Sequence, residues 1–98
     1  MLFVAFAKPR GTVTKREGTM RRFDYHYPED MKIVGEYWLA TDDPCVILVV
    51  EAESMAPLMA AVADWDDVFQ ITIVPAVTAE EGMRFAKERL AHQELAVR

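Results

Sequence analysis

Three consecutive side chains, Tyr25, His26 and Tyr27, form the only local cluster in this sequence with acid–base potential near neutral pH. Histidine changes its charge in that range, and a histidine lining a cavity could move a proton to or from an enolisable substrate. His26 is therefore the candidate catalytic residue. The same three letters are also typical of a loop with an exposed histidine and two half-buried phenols. His92 lies near a helix end, where we expect it to be solvated.

Three further aromatic side chains, Tyr37, Trp38 and Trp65, are candidates for ligand binding. Tyr37 and Trp38 lie in a predicted strand. An aromatic side chain there either fills a dimer interface or forms a stacking wall for a flat ligand. Trp65 follows a predicted helix, where it either walls a pocket or closes the hydrophobic core. Its neighbours Asp66 and Asp67 could pair with basic residues of the partner in a dimer. Alternatively, Asp64 and Asp66 are solvated turn residues.

The inventory of reactive side chains argues against several other kinds of site. The single cysteine, Cys45, allows no intramolecular disulfide, which fits a reducing compartment. We expect a buried structural thiol, because a reactive thiolate needs a nearby positive charge. One cysteine and two separated histidines make a zinc site within one chain implausible, so we expect no metal. The sequence contains neither a phosphate-binding glycine loop nor a nucleophile elbow, and we expect no cofactor.

The charge distribution is uneven along the 98 residues. Residues 1–32 contain seven basic and four acidic residues, a net +3, and the remainder contains four basic and twelve acidic residues, a net −8. The basic segment is either a solvated helix and loop or a patch for an anionic ligand or acidic partner. A total of −5 disfavours nucleic acid as a partner. The short apolar start resembles a strand and no apolar run is long enough to span a membrane, so we expect a cytoplasmic protein that does not bind membranes.

These candidate residues must be positioned by a small set of predicted elements. Apolar strands are predicted at 2–7, 32–40, 45–51 and 68–77, a weak helix near 14–23, a helix after Ser54, and a last helix at about 79–92. Met55, Leu58, Met59 and Val62 have the spacing of one core-facing helical stripe. The βαββαβ order predicts an α+β ferredoxin-like sandwich with a four-stranded antiparallel sheet, forming a single domain over residues 1–98.

The sequence contains more apolar surface than a single chain of this fold can bury. Both helices of a ferredoxin-like sandwich cover one face of the sheet, and an open second face would alternate to polar residues. Here the first and third strands are apolar on both faces, and Tyr37 or Trp38 must lie on the uncovered side. A large exposed apolar patch marks an interaction surface, and two copies packed sheet on sheet would cover it. We therefore expect a homodimer, an eight-stranded dimeric α+β barrel.

Several segments resemble a known family. They are VGEYW at 34–38, LVVEA at 48–52 followed by a helix, WDDV at 65–68 and TIVPAV at 72–77. They resemble small dimeric α+β barrel proteins known only as a domain of unknown function, within the superfamily of antibiotic-biosynthesis monooxygenases and stress-responsive barrels. Tyr37 stands where that family has tryptophan, and residues 8–30 depart from its pattern. The resemblance implies the fold and a dimer through the sheet face, and it implies no established activity.

Three functional hypotheses follow. The first is a protein that binds a small apolar or aromatic molecule, either between sheet and helices or inside the barrel. The second is a structural or interaction dimer module. The third is a cofactor-independent monooxygenase- or isomerase-like enzyme that uses Trp38, Tyr37, His26 and Trp65. We rank them in that order.

Overall fold

The computed structural model describes residues 1–97 and contains the predicted order of elements. In chain order these are β1 (Leu2–Pro9), α1 (Lys15–Arg22), β2 (Met31–Trp38), β3 (Val46–Ala52), α2 (Ala56–Trp65), β4 (Phe69–Ala76) and α3 (Ala79–Val97). The strand boundaries differ from the predicted ones by one or two residues, and α3 continues past the predicted end near residue 92. Within residues 1–97, no helix has both the length and the apolar composition that a membrane crossing requires.

The four strands form one antiparallel sheet in the order β2-β3-β1-β4. β1 lies in the middle because it pairs with β3 on one side and with β4 on the other. Two split β-α-β units with this strand order define the ferredoxin-like arrangement, which confirms the predicted α+β fold. The first strand of the chain therefore lies inside the sheet, between β3 and β4.

The sheet has one covered and one open face, here called the inner and outer faces. The inner face packs against α1 and α2, and the core there centres on Phe3, Val50 and Leu58. A second buried cluster at the other end joins Cys45, Trp65 and Phe69. The hydrophobic core therefore lies between the inner face and the two helices.

A bulge in β2 changes which of its side chains reach the inner face. Ile33 pairs with Val50 and Gly35 pairs with Val49, so that Val34 is the extra residue. An extra residue reverses the alternation of side chains beyond it. Regular alternation along a strand would place Ile33 and Tyr37 on the same face, whereas the bulge places them on opposite faces.

Helix α2 buries a stripe that differs in part from the predicted one. Leu58 is 3% exposed and Trp65 is also buried, whereas Met59 is 58% exposed. Ala61 and Val62 are half-buried beside Leu58. The helix is rotated so that small residues as well as large ones face the sheet. This rotation leaves space above the inner face.

Helix α3 projects away from the sheet and its two covering helices. Thr78 caps it by accepting a hydrogen bond from the Glu81 backbone N–H at 3.1 Å, as the capping sequence predicts. Nineteen helical residues extend over about 28 Å. The radius of gyration is 17.4 Å, above the roughly 13 Å of a compact chain of this length. Met83, Phe85 and Leu90 are consequently exposed along α3.

Candidate functional site

A cavity lies between the inner face of the sheet and helices α1 and α2. Its volume is about 170 Å³, and its walls come from all four strands and both helices. Most of the wall is apolar, with Leu48, Ile71 and Ile73 from the sheet and Leu58 from α2 among the lining residues. The apolar part of this wall offers dispersion contacts to a bound molecule.

Small side chains create the space. Ala5 and Ala7 occupy the inner face of the central strand, where Phe3 fills the core one step earlier. Gly18 of α1 lies over the opposite side, and a Cβ there would be only 2.6 Å from the ring of Phe69. Helix α1 therefore approaches Phe69 as closely as a backbone can, while the two alanines leave the middle of the sheet uncovered.

One end of the cavity is closed by a polar cluster around Glu36. The Arg22 guanidinium donates two hydrogen bonds to this carboxylate, at 3.1 Å from Nε and 3.0 Å from its terminal nitrogen. The Tyr27 hydroxyl and the Trp38 indole N–H each donate one more, both at 2.9 Å. Four donors use the four acceptor sites of a carboxylate. We call these four residues the Glu36 cluster.

Contacts within the Glu36 cluster shift the pKa values of its titratable groups away from neutral pH. Burial alone would raise the pKa of Glu36, but the hydrogen bonds from Arg22, Trp38 and Tyr27 outweigh it and lower that pKa. The hydrogen bond to Glu36 raises the pKa of Arg22 against the opposing effect of burial. Burial, together with the nearby Glu36 charge, raises the pKa of Tyr27. All three groups therefore keep a single charge state around neutral pH.

The Cys45 thiol also lies in the cavity wall. It is buried, and burial raises its pKa more than the positive charge of Lys15 lowers it. A thiol rather than a thiolate is the form present at neutral pH, and thiols are poor nucleophiles. The structure thus fits the expectation of a structural cysteine.

An aromatic cluster beside the cavity ties the loop after α1 to the end of α2. The rings of Tyr25 and Trp65 meet edge to face with centroids 5.1 Å apart. The Tyr25 hydroxyl donates a hydrogen bond of 2.9 Å to the Asp64 carboxylate. Arg21 lies 5.1 Å above the Trp65 ring and pairs with Asp67 at 2.9 Å. These contacts hold α1 in place over the cavity.

The structure separates the four candidate site residues. Trp38 and Trp65 line the cavity. Tyr37 lies on the outer face, where it is 57% exposed and its ring covers Gly35. His26 is exposed in the loop after α1 and is not among the residues that line the cavity, although its neighbour Tyr27 is. The roles assigned to these side chains remain predictions.

Sequence reasoning missed the Glu36 cluster. Glu36 interrupts an otherwise largely apolar strand, and a carboxylate in such a strand needs partners. That signal was available, and the two arginines at the end of α1 supplied possible partners. The bulge at Val34, which turns Glu36 toward the helices, lies next to Gly35, and an isolated glycine in a strand is a sequence signal for a bulge.

Metal ligands do not converge in the part of the chain described by the structure. Residues 1–97 contain no group of three or more His, Cys, Asp or Glu side chains placed to hold an ion. The cavity lining is instead dominated by carbon atoms and by groups already engaged in hydrogen bonds.

Comparison with known proteins identifies a family without an assigned activity. The family described as "Domain of unknown function (DUF3303)" matches residues 1–90, from β1 into α3. No curated protein and no solved structure matches the chain. The geometry of the cavity therefore has to carry the functional argument.

Proposed function

The chain belongs to the DUF3303 family of unknown function, and we propose that it binds a small apolar or aromatic molecule in the cavity between sheet and helices. The observation that carries this proposal is a cavity of about 170 Å³ with an almost entirely apolar lining and a single polar end at the Glu36 cluster. Binding sites for small molecules commonly combine an apolar wall with a few fixed polar groups.

The size of the cavity supports a ligand of about one ring. An apolar protein cavity of roughly 150 Å³ is known to bind benzene. The present cavity is slightly larger, at about 170 Å³. Trp38 and Trp65, which both line it, provide aromatic surface for contact with a flat molecule.

The protonation states favour binding over turnover. General acid–base catalysis needs a group whose pKa lies near the working pH. In the cavity wall, hydrogen bonds lower the pKa of Glu36, and burial raises the pKa of both Tyr27 and Cys45. Each shift moves the group away from neutral pH, which supports a binding protein more than an enzyme of the isomerase or monooxygenase type.

We further propose that the protein acts as a homodimer joined through the outer face. Val4, Phe6, Ile47 and Val49 lie on that face, on the two central strands, and they are only half-buried within one chain. Exposed Tyr37 and Val74 extend the apolar surface to the outer strands. A second copy, packed sheet on sheet, would cover this surface and form the dimeric barrel expected from the sequence.

Native mass spectrometry of the purified protein tests both proposals together. We expect a dimer mass, with additional mass that corresponds to a retained small molecule. The cavity-filling variant Ala5→Leu should remain dimeric and lose that additional mass, because Ala5 lines the cavity and faces away from the outer face. The matched variant Ala60→Leu, on the exposed side of α2, should keep it.

Three results would contradict the proposals, each in a different part. A monomer at micromolar concentration would rule out the dimer through the outer face. Absence of any retained mass, together with no rise in melting temperature on addition of toluene, phenol or indole, would rule out the binding function. A ligand that Ala5→Leu binds as well as wild type would place the site elsewhere.

A further inference from the structure

We propose that the Arg22–Glu36 ion pair determines the specificity of this cavity by cancelling the charge at its polar end, so that uncharged one-ring molecules bind and aromatic carboxylates and amines do not. This inference rests on the proposed binding function and adds the chemical class of the ligand. It makes Arg22 and Glu36 specificity-determining residues rather than catalytic ones.

The hydrogen bonds leave Glu36 without free acceptor capacity. Two bonds come from Arg22, one from Tyr27 and one from Trp38, at 2.9–3.1 Å. A cationic ligand approaching this carboxylate would have to displace one of these donors. Each of those donors lies in the cavity wall, so displacement would also disturb the wall itself.

The arginine is equally engaged. Arg22 directs two nitrogen atoms at Glu36 and a third at the backbone carbonyl of Tyr25, at 3.3 Å. Its guanidinium also lies 4.8 Å from the centroid of the Tyr27 ring. An anionic ligand could use Arg22 fully only by replacing Glu36, which would leave a carboxylate in the cavity wall without its counterion. The two side chains are partly buried, at 31% and 17% exposed, and removing one partner from such a pair is unfavourable because the other charge keeps only part of its hydration.

Outside the Glu36 cluster, the charged side chain in the described cavity wall is Lys15, which is 45% exposed and already paired with an acidic side chain. Lys15, at the cavity edge, pairs with Asp42 at 3.2 Å and is within 3.4 Å of the Leu39 carbonyl. The Cys45 thiol is neutral because burial raises its pKa. In the described part of the chain, no buried side-chain nitrogen or oxygen lacks a hydrogen-bond partner. A charged ligand would therefore lose its hydration without gaining an equivalent partner.

Removal of one member of the pair should change the ligand class in a predictable direction. Glu36→Gln keeps the shape of the side chain and its amide oxygen can still accept hydrogen bonds, but the positive charge of Arg22 is no longer cancelled. This variant should gain affinity for benzoate relative to toluene. Arg22→Gln leaves the Glu36 charge uncancelled and should gain affinity for benzylamine relative to toluene.

The experiment measures the dissociation constants of toluene, benzoate and benzylamine at pH 7 and fixed ionic strength, by calorimetry with melting-temperature shifts as a second readout. Wild type should bind toluene at least about tenfold more tightly than either ion, since a hydrogen-bonded charge is worth more than about 1.4 kcal/mol. The benzoate-to-toluene affinity ratio should rise by on the order of tenfold in Glu36→Gln. The benzylamine-to-toluene ratio should rise similarly in Arg22→Gln.

Two further variants complete the design. Glu51→Gln removes an exposed carboxylate 4.0 Å from Lys32, outside the cavity, and should leave both ratios at the wild-type value. The double variant Arg22→Gln/Glu36→Gln carries neither charge and should again prefer toluene. If either single variant fails to fold, the preference of wild type for toluene over both benzoate and benzylamine still tests the inference.

The outcomes distinguish this inference from the function on which it rests. If none of the three probes binds wild type, the proposed binding function fails. If wild type binds benzoate or benzylamine as tightly as toluene, the cavity is a binding site but its charges are not cancelled, and the inference is overturned. Unchanged ratios in folded single variants would overturn it as well.

Discussion

The two faces of the sheet are similarly apolar but have very different surroundings. On the inner face, α1 and α2 bury Phe3 and Val50 and enclose a cavity. On the outer face, Val4 and Phe6 of the same strand β1 have no covering element within residues 1–97 and remain half-buried. Apolar composition alone therefore does not tell which surface forms the core of a chain and which is available to a second molecule.

The two faces suit separate purposes, ligand binding on the inner face and packing against a second copy on the outer face. The inner face combines large residues at its ends with Ala5 and Ala7 in the middle, which leaves room for a ligand. The outer face presents Val4, Phe6, Ile47 and Val49 on its two central strands, and these apolar side chains are only half-buried within one chain. Variants that affect one face and spare the other test whether the two are independent.

The largest expected effect comes from a matched pair of phenylalanines on β1. Phe3 is 4% exposed on the inner face, and Phe3→Ala should lower the free energy of unfolding by about 3–5 kcal/mol. Phe6→Ala, on the outer face, should have a smaller effect at low protein concentration, because the contacts that it loses belong to the dimer. Urea unfolding at two protein concentrations measures both effects. Equal, concentration-independent losses would show that the outer face does not form an interface.

The second prediction concerns the outer face alone. The double variant Tyr37→Lys/Val74→Lys places two charges where the sheets are proposed to meet, and it should weaken dimerisation by at least about 2–3 kcal/mol, roughly a hundredfold. Sedimentation velocity should show a folded monomer, because both side chains are exposed within one chain. Met59→Lys, on the exposed side of α2, is the control and should remain a dimer. A double variant with the wild-type mass would contradict the prediction.

The third prediction concerns the polar end of the inner cavity. The pKa of Glu36 is lowered in the folded state, so its stabilising contribution is present above the ordinary value of 4.5 and is lost as the pH falls through the folded pKa. Glu36→Gln should therefore be less stable than wild type by roughly 1–3 kcal/mol at pH 7. The difference should shrink as the pH falls below 4.5. Chemical unfolding across pH 3–7 measures it, and a constant difference would contradict the lowered pKa.

The smallest effect is expected at the aromatic cluster next to the cavity. Burial and the hydrogen bond to Asp64 raise the pKa of Tyr25 to about 12. Since the neutral phenol is favoured in the folded state, its contribution is complete below the unfolded pKa near 10 and disappears as the pH rises through the folded value. Tyr25→Phe should cost about 0.5–1.5 kcal/mol at pH 7.

An ultraviolet titration of phenolate formation checks the same group directly. Wild type should show an ionisation with a midpoint near pH 12 that is missing in Tyr25→Phe. Tyr37→Phe, on the outer face, is the matched control and should retain it. An ionisation near pH 12 that persists in Tyr25→Phe would assign it to another group.

Much of the fold could be predicted from the pattern of apolar residues. The alternation and length of the apolar segments indicated four strands, and the order of helices between them indicated a ferredoxin-like sheet. Thr78 was predictable as a helix cap because capping depends on residues three apart in sequence. These features are local, so a single sequence contains most of what is needed to recognise them.

The candidate site could be predicted only in part. Trp38 and Trp65 were selected for their size and aromatic character, and both line the cavity. Arg22 and Glu36 were missed as a pair, because they are 14 residues apart and meet only when α1 packs against β2. Tyr37 and Trp38 were expected on opposite faces because they are adjacent in a strand, but which of them faces the helices was left open, and the structure places Trp38 on the inner face.

Residue types and short spacings in the sequence specify the strands and helices of this protein, their order and the excess of apolar surface. The tertiary structure alone decided that Ala5 and Gly18 would lie on opposite sides of a cavity. It also decided that the bulge at Val34 would turn Glu36 toward Arg22. A one-residue bulge reverses the alternation of the side chains beyond it, and a cavity is a property of the surrounding walls. Gly35 indicates a bulge nearby, but the position of the extra residue and the walls of the cavity depend on long-range packing.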